Sequence, residues 1–349
     1  MIRVLTVCLS VLSSGVVAQT AADQTSPNEL LRDIGEALEQ VSYQGTLIRS
    51  VDGKIDTMHV LHSNDDGVIR EKLVSMDGEG REVLRNGDEL ICLLPQQKVK
   101  LIDNNVSPSN AFVRLPMVIN ELGNFYVLES KGMDRVAGRT ARRFFIKPQD
   151  AFRYGHRLWV DEETLLPLRM QLVSRTRIIE EIRFAAITIG EEIPASLFAS
   201  DIDSSDFRVI RAAASMEKDQ RSTQISLAEA PGDSDIDNWP REPSPGFRLR
   251  ATQSQMVTIN GRTAQRLVFS DGLATVSVFI TTQPAAENDP VSKVSRMGAA
   301  SSYQRRIGDQ LVTLVGEVPI ETLKLLAERT EQQILARQQQ RREQARSIE

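Results

Sequence analysis

Apolar positions along this chain change their spacing more than once, and each change marks a different kind of element. Leu30, Leu31, Ile34, Leu38 and Val41 recur at helical intervals, which predicts a helix with one buried stripe. Ser26, Pro27 and Glu29 supply an N-cap, a proline at the first helical position and a capping-box acid, so the helix should begin there. From Tyr43 to Ile189 the spacing falls to two, with β-branched and aromatic residues between turn pairs such as Asp52-Gly53, Asp66-Gly67, Asp77-Gly78 and Asn86-Gly87. Strands are predicted near 45–50, 57–63, 68–75, 82–85, 90–94, 98–102, 125–131, 142–147, 156–160, 168–173 and 178–189. So many antiparallel strands after one helix predict a large curved sheet wrapped around helical material, with residues 110–122 as a second short helix or lid.

After Phe198 the character changes. The stretch 212–238 is polar and rich in Glu, Asp, Ser and Gly, and reads as a linker. Alternation resumes from Trp239 through 255–259, 264–269, 274–281 and 311–316, followed by a helix opened by Pro319 with apolar Ile320, Leu323, Leu326, Ala327, Ile334 and Leu335. The fold class is therefore α+β in two domains. Their expected bounds are 26–205 and 238–328, joined by a linker over 206–237 and followed by a solvated Gln/Arg-rich tail over 329–349.

Arg3, the apolar run from Val4 to Val17, and Val16-Val17-Ala18 have the shape of a secretory signal peptide, with cleavage expected after Ala18. Export across a membrane follows as an expectation. Removing that segment takes one base from 42 and none of the 47 acids, so 41 − 47 leaves a charge of −6, which gives no global attraction to nucleic acid. It also removes Cys8, leaving Cys92 in an apolar run where a buried, inert thiol is expected, with an intermolecular bridge as the alternative.

Candidate chemistry is sparse. No Ser/His/Asp spacing or phosphate-binding glycine loop is evident, and no cofactor or metal is expected, so a non-enzymatic role is favoured. His59 and His62 lie three apart in a strand, which puts them on opposite faces. Asp161-Glu162-Glu163 falls at an expected turn and reads as a solvated tip. Arg135, Arg139, Arg142 and Arg143, interleaved with Phe144 and Phe145, form the densest basic cluster. Alternation splits it between two faces, and anionic lipid phosphate is the sharper use for Arg139, Arg142 and Arg143.

Three stretches together resemble the MucB/RseB family of anti-sigma-factor regulators: Met76–Val83, MDGEGREV; Tyr154–Leu172, YGHRLWVDEETLLPLRMQL; and, in the second unit, Trp239 with Pro245-Gly246-Phe247, Ser270-Asp271-Gly272-Leu273 and Val315–Pro319. The middle stretch, in a looser form, also resembles lipoprotein carriers of the LolA/LolB type, which lack the second unit. Ser244 stands where family members have leucine.

The resemblance implies an N-terminal unclosed β-barrel of carrier type with helices in its concave face. It implies binding to the periplasmic domain of a membrane-spanning anti-sigma factor resembling MucA or RseA, protection of that domain from proteolysis, and release by lipopolysaccharide or lipoprotein acyl chains. A homo-oligomer is also implied, and a periplasmic lipid or lipoprotein carrier is the alternative function. On this basis Phe112, Leu115, Met117, Phe125 and Trp159 are candidates to line a lipid cavity. Trp239, Phe247, Asp271, Gly272 and Leu273 are candidates to hold the partner, with Trp239 and Phe247 as plain core residues the competing expectation.

Overall fold

Pro27–Gln40 forms helix α1 in the computed structural model, which describes residues 27–103, 125–211, 239, 244–250, 255–259, 262–283 and 291–346. The expected signal peptide, the Ser26 cap, the lid with Phe112, Leu115 and Met117, and most of the expected linker lie outside the described residues. Twelve strands follow α1: β1 Tyr43–Val51, β2 Lys54–Asp65, β3 Val68–Ser75, β4 Glu82–Asn86, β5 Glu89–Leu94, β6 Val99–Asp103, β7 Tyr126–Val136, β8 Arg139–Pro148, β9 Gly155–Asp161, β10 Pro167–Val173, β11 Ile178–Ile189 and β12 Arg208–Arg211. They form one sheet in the order β12-β6-β5-β4-β3-β2-β1-β11-β10-β9-β8-β7.

Local chemistry accounts for the tight hairpins. Asp52 and Gly53 (φ 48° and 77°), and Asp66 and Gly67 (φ 52° and 86°), are two-residue turns with both residues left-handed, the form whose twist suits paired strands. Ala137 and Gly138 (φ 49° and 81°) make the same turn between β7 and β8 without the Asn or Asp signal that announces one.

The sheet is open, since its end strands β12 and β7 do not pair with each other. It also curls. One cavity is lined by Leu90 and Cys92 of β5, by Leu158 of β9 and by residues of each of the six strands between them. Laid flat, seven strand spacings would separate those ends by about 34 Å.

Helix α1 packs on the same concave face. Leu31, Ile34 and Leu38 are buried in one core cluster with Tyr43, Leu47, Met58 and Val60. Its C-terminal end is pinned by Glu39, whose carbonyl accepts from Asn64 Nδ2 at 3.0 Å and lies 3.2 Å from His62 Nε2. Below it, His62 Nδ1 lies 3.0 Å from Glu71, Glu71 lies 3.6 Å from Arg85, and all three side chains are buried.

A second sheet holds β13 Arg248–Leu249, β14 Gln255–Ile259, β15 Arg262–Ser270, β16 Thr275–Thr282, β17 Ser292–Met297, β18 Ala300–Ile307 and β19 Gln310–Gly316, in the order β13-β15-β16-β19-β18-β17 with β14 also on β15. Helix α2, Ile320–Arg346, packs on it through Leu323, Leu326, Ala327 and Ile334.

Several expectations need correction. Residues 208–211, assigned to the linker, form β12 and pair in parallel with β6, so the first sheet is not wholly antiparallel. The pair β17 and β18 carries no clear alternation, because Ser301 and Arg305 share the inward face of β18 with Tyr303 and Ile307, and residues 292–296 of β17 are exposed. The expected solvated tail continues as helix to Arg346, its Ala, Gln, Glu and Arg being good helix formers. Arg337 also anchors it, with its guanidinium 4.4 Å from the Trp239 ring centroid. Leu335, expected on the buried stripe, is half exposed, while Ile334 takes the core position.

Candidate functional site

Alternation along each strand sends one set of side chains into the curl, and that set is largely apolar. Leu47, Met58, Leu73, Val83, Leu158, Met170 and Ile182 line a cavity of about 570 Å³, with Leu90 and Cys92 at one side. Charged groups at its wall are Arg49, Arg81, Glu180 and Glu317. Arg49 and Glu180 neutralise each other at 2.6 Å. The site therefore suits a hydrocarbon chain far better than a polar metabolite.

The second unit closes part of the same cavity. Ala299 of the β17–β18 turn, Ala300 at the start of β18, and Glu317 belong to its wall. Ala299 is buried with Tyr154 and Ile179 of the first unit, and a Cβ at Gly298 would stand 3.4 Å from Val51. Whatever fills the curl thus touches both units.

Two titratable groups in the wall are shifted by this enclosure. Burial pushes the Cys92 thiol up, which favours its protonated form at neutral pH, while the side chain stays half-buried and reachable from the cavity. Desolvation lowers His156 to about 4, so its imidazole is neutral at physiological pH. Between about pH 6.5 and 4 the unfolded chain takes up a proton that the folded chain refuses. Folding stability should therefore fall as pH drops through that window, by less than the about 1.4 kcal/mol per pH unit of a fully desolvated group. Urea unfolding at pH 7, 5.5 and 4.5 checks this, and His156→Gln should flatten the profile.

The foreseen site residues are dispersed. Trp159 adjoins cavity-lining Leu158 in β9 and so points to the opposite face. There its ring lies 4.4 Å beneath Arg169, and Nε1 donates to Asp134 at 2.8 Å, which holds that carboxyl below its usual range. Phe125 lies at the junction between the units, under Arg153 at 4.4 Å, and is not part of the cavity wall. Trp239 and Phe247 are buried in the core of the second sheet.

Asp271, Gly272 and Leu273 do not present a free turn. Asp271 is buried and accepts from Tyr126 Oη at 2.9 Å, while Leu273 joins the core of the first sheet. Arg139 is committed to Asp161 at 2.6 Å and Glu163 at 2.8 Å, and Arg143 donates to the Lys131 carbonyl, which leaves exposed Arg142 outside these contacts. Asp161 is not a solvated tip. It is buried and caps its own turn by accepting from Thr164 N and Oγ1, so that despite burial these bonds and Arg139 keep it below the usual range. His62, on the inner face, is spent on Glu71, and among the described residues no group of three or more His, Cys, Asp or Glu is arranged to hold a metal.

Among the residues that join the units, Tyr126, Arg153 and Pro245 carried no sequence signal of that role apart from the Pro245-Gly246-Phe247 triplet. Arg153 sits one residue before the Tyr154–Leu172 stretch, and nothing in its local context distinguishes it from a surface arginine.

Two family models match, the MucB/RseB N-terminal domain over residues 26–202 and the MucB/RseB C-terminal domain over residues 234–331. The chain is 28% identical over 329 residues to the sigma factor AlgU regulatory protein MucB of Pseudomonas aeruginosa, covering 92% of this chain and 96% of that one. It is 24% identical to the sigma-E factor regulatory protein RseB of Haemophilus influenzae, covering 92% and 95%. Among solved structures it resembles the P. aeruginosa MucA/MucB complex with a TM-score of 0.64 and 28% identity, covering 86% of this chain and 96% of that one. With one model on each sheet and the first alone spanning half of the chain, this protein belongs to the MucB/RseB family.

Proposed function

We propose that this chain is a periplasmic, non-enzymatic regulator of envelope-stress sigma-factor signalling. It binds the periplasmic domain of a MucA/RseA-like anti-sigma factor, shields it from regulated proteolysis, and lets go when acyl chains of lipopolysaccharide or mislocalised lipoproteins enter the curled sheet. The first sheet is read as a lipoprotein-carrier-like half-barrel, and the whole as a homo-oligomer. The observation that carries this reading is correspondence over 92% of this chain to a MucB protein, a relative of which has been solved together with MucA.

The apolar cavity walled by both units supports the release step. Burying about four methylenes at about 0.8 kcal/mol each supplies ~3 kcal/mol. Coupling between sites is typically about 1–3 kcal/mol, so one short acyl segment is enough to shift the balance if the emptied and filled states differ at the Ala299 turn.

The test is digestion of the candidate anti-sigma periplasmic domain by its site-1 protease, with the mature protein and with or without lipid A. Slowed digestion that lipid A restores supports the reading; an unchanged rate rejects it. Trp159 faces away from the cavity, so alkylation of Cys92 is the appropriate reporter of occupancy. Lipid that protects Cys92, with no protection of the anti-sigma domain, would instead leave a lipid or lipoprotein carrier.

A further inference from the structure

One buried guanidinium stands at the seam between the two sheets. The Arg153 side chain is fully buried, just before β9, and reaches both units. Within its own unit its Nε lies 3.3 Å from Asp150 Oδ1, and its guanidinium lies 4.4 Å and 5.5 Å from the ring centroids of Phe125 and Tyr126. From the second unit it meets Asp271 Oδ2 at 3.4 Å and the Phe247 ring at 5.2 Å, and its Nη2 donates to the Pro245 carbonyl.

The second unit's side of this contact is shaped by two turns. Ser244–Phe247 closes with Phe247 N donating to Ser244 O at 3.0 Å, and Gly246 has φ 79°, the pattern of a type II turn with proline then glycine at its centre. That turn directs the Pro245 carbonyl at Arg153. It also needs glycine, because a Cβ there would stand 2.5 Å from the Phe125 ring. The Asp271 loop divides its carboxylate: Oδ1 accepts from Leu273 N and Ala274 N at 2.9 Å and 2.7 Å, and Oδ2 accepts from Tyr126 Oη.

A buried ion pair stabilises no better than a well-packed apolar pair, but it is intolerant of displacement, since moving either partner strands a charge. Arg153 Nε and Nη1 find no hydrogen-bond partner of good geometry, which marks a contact suited to setting orientation more than to maximising stability. We propose that Arg153 is the positioning residue that seats the second sheet on the first, and thereby shapes the surface on which the anti-sigma segment docks. The docking half of this statement rests on the function proposed above. The seating half does not.

The test uses the full mature chain carrying Arg153→Met with Asp271→Asn, which removes the pair without leaving Asp271 charged. Small-angle scattering should show a larger radius of gyration than wild type with unchanged far-ultraviolet circular dichroism; unchanged scattering overturns the proposal. Arg153→Lys keeps the charge and loses the fork, and carries the same scattering readout if the double variant does not fold. Affinity for the anti-sigma periplasmic domain should drop at least about tenfold, within the usual range of coupling.

A disulfide across the seam, Val51→Cys with Gly298→Cys in a Cys92→Ser background, should restore both compactness and affinity. Wider scattering with unchanged affinity overturns the docking half. A wild-type chain that binds no anti-sigma domain overturns the proposed function, and the scattering result still decides what Arg153 does.

Discussion

Arg85→Ala should lower folding stability by about 3–5 kcal/mol, the range for breaking a buried pair by removing one partner. Arg85 and Glu71 are both buried, 3.6 Å apart, beneath the end of α1. Glu71 also holds His62 at 3.0 Å, and the His62 ring stacks on Tyr43 with centroids 4.9 Å apart and planes within 10°. Removing the guanidinium leaves the buried Glu71 carboxylate with His62 as its remaining partner and loosens the floor on which α1 rests. Urea unfolding of the mature protein measures the effect. Arg85→Met with Glu71→Gln should lose far less, since no charge is left unpaired. Equal losses in the single and double variants would show that packing, not charge, accounts for the site.

Phe247→Ala should cost about 3–5 kcal/mol, as expected for truncating a fully buried aromatic side chain. Its ring belongs to the core of the second sheet with Leu267, Phe269, Leu314 and Leu323, and also forms part of the enclosure around Arg153. Thermal unfolding should shift well below wild type. Any loss of partner affinity should then accompany a disturbed second unit, visible as faster hydrogen exchange of the β15, β16 and β19 amides. A variant that keeps its stability and exchange protection but loses the partner would restore Phe247 as a direct anchor. The same comparison for Trp239, packed beneath Arg337, separates the two roles there.

Most of the first sheet was legible as elements. The eleven strands expected between residues 45 and 189 appear as β1 to β11 with ends shifted by a few residues, and α1 buries the stripe that its spacing marked. Alternation failed where inward positions carry polar residues, as Ser301 and Arg305 do in Ala300–Ile307, where a strand is exposed, as in residues 292–296, and where it is only four residues long, as in Arg208–Arg211. The candidate site was less legible. Aromatic type alone marks a residue as a ligand contact, but Trp159 is buried on the face opposite cavity-lining Leu158, and Trp239 and Phe247 are consumed by the core.

Repeating polarity and turn chemistry act over a few residues, so the order of elements, the hairpin geometry at Asp52-Gly53 and Asp66-Gly67, and the likeness to the family could be read along the chain. Which residues wall the cavity and which join the two units was decided only on folding. The sheet has to curl before β5 meets β9 across one cavity, and the second unit has to dock before Tyr126 finds Asp271, 145 positions away, or Arg153 finds Pro245, 92 positions away. Contacts at that separation depend on the summed twist of many strands and on burial, and no local pattern encodes them.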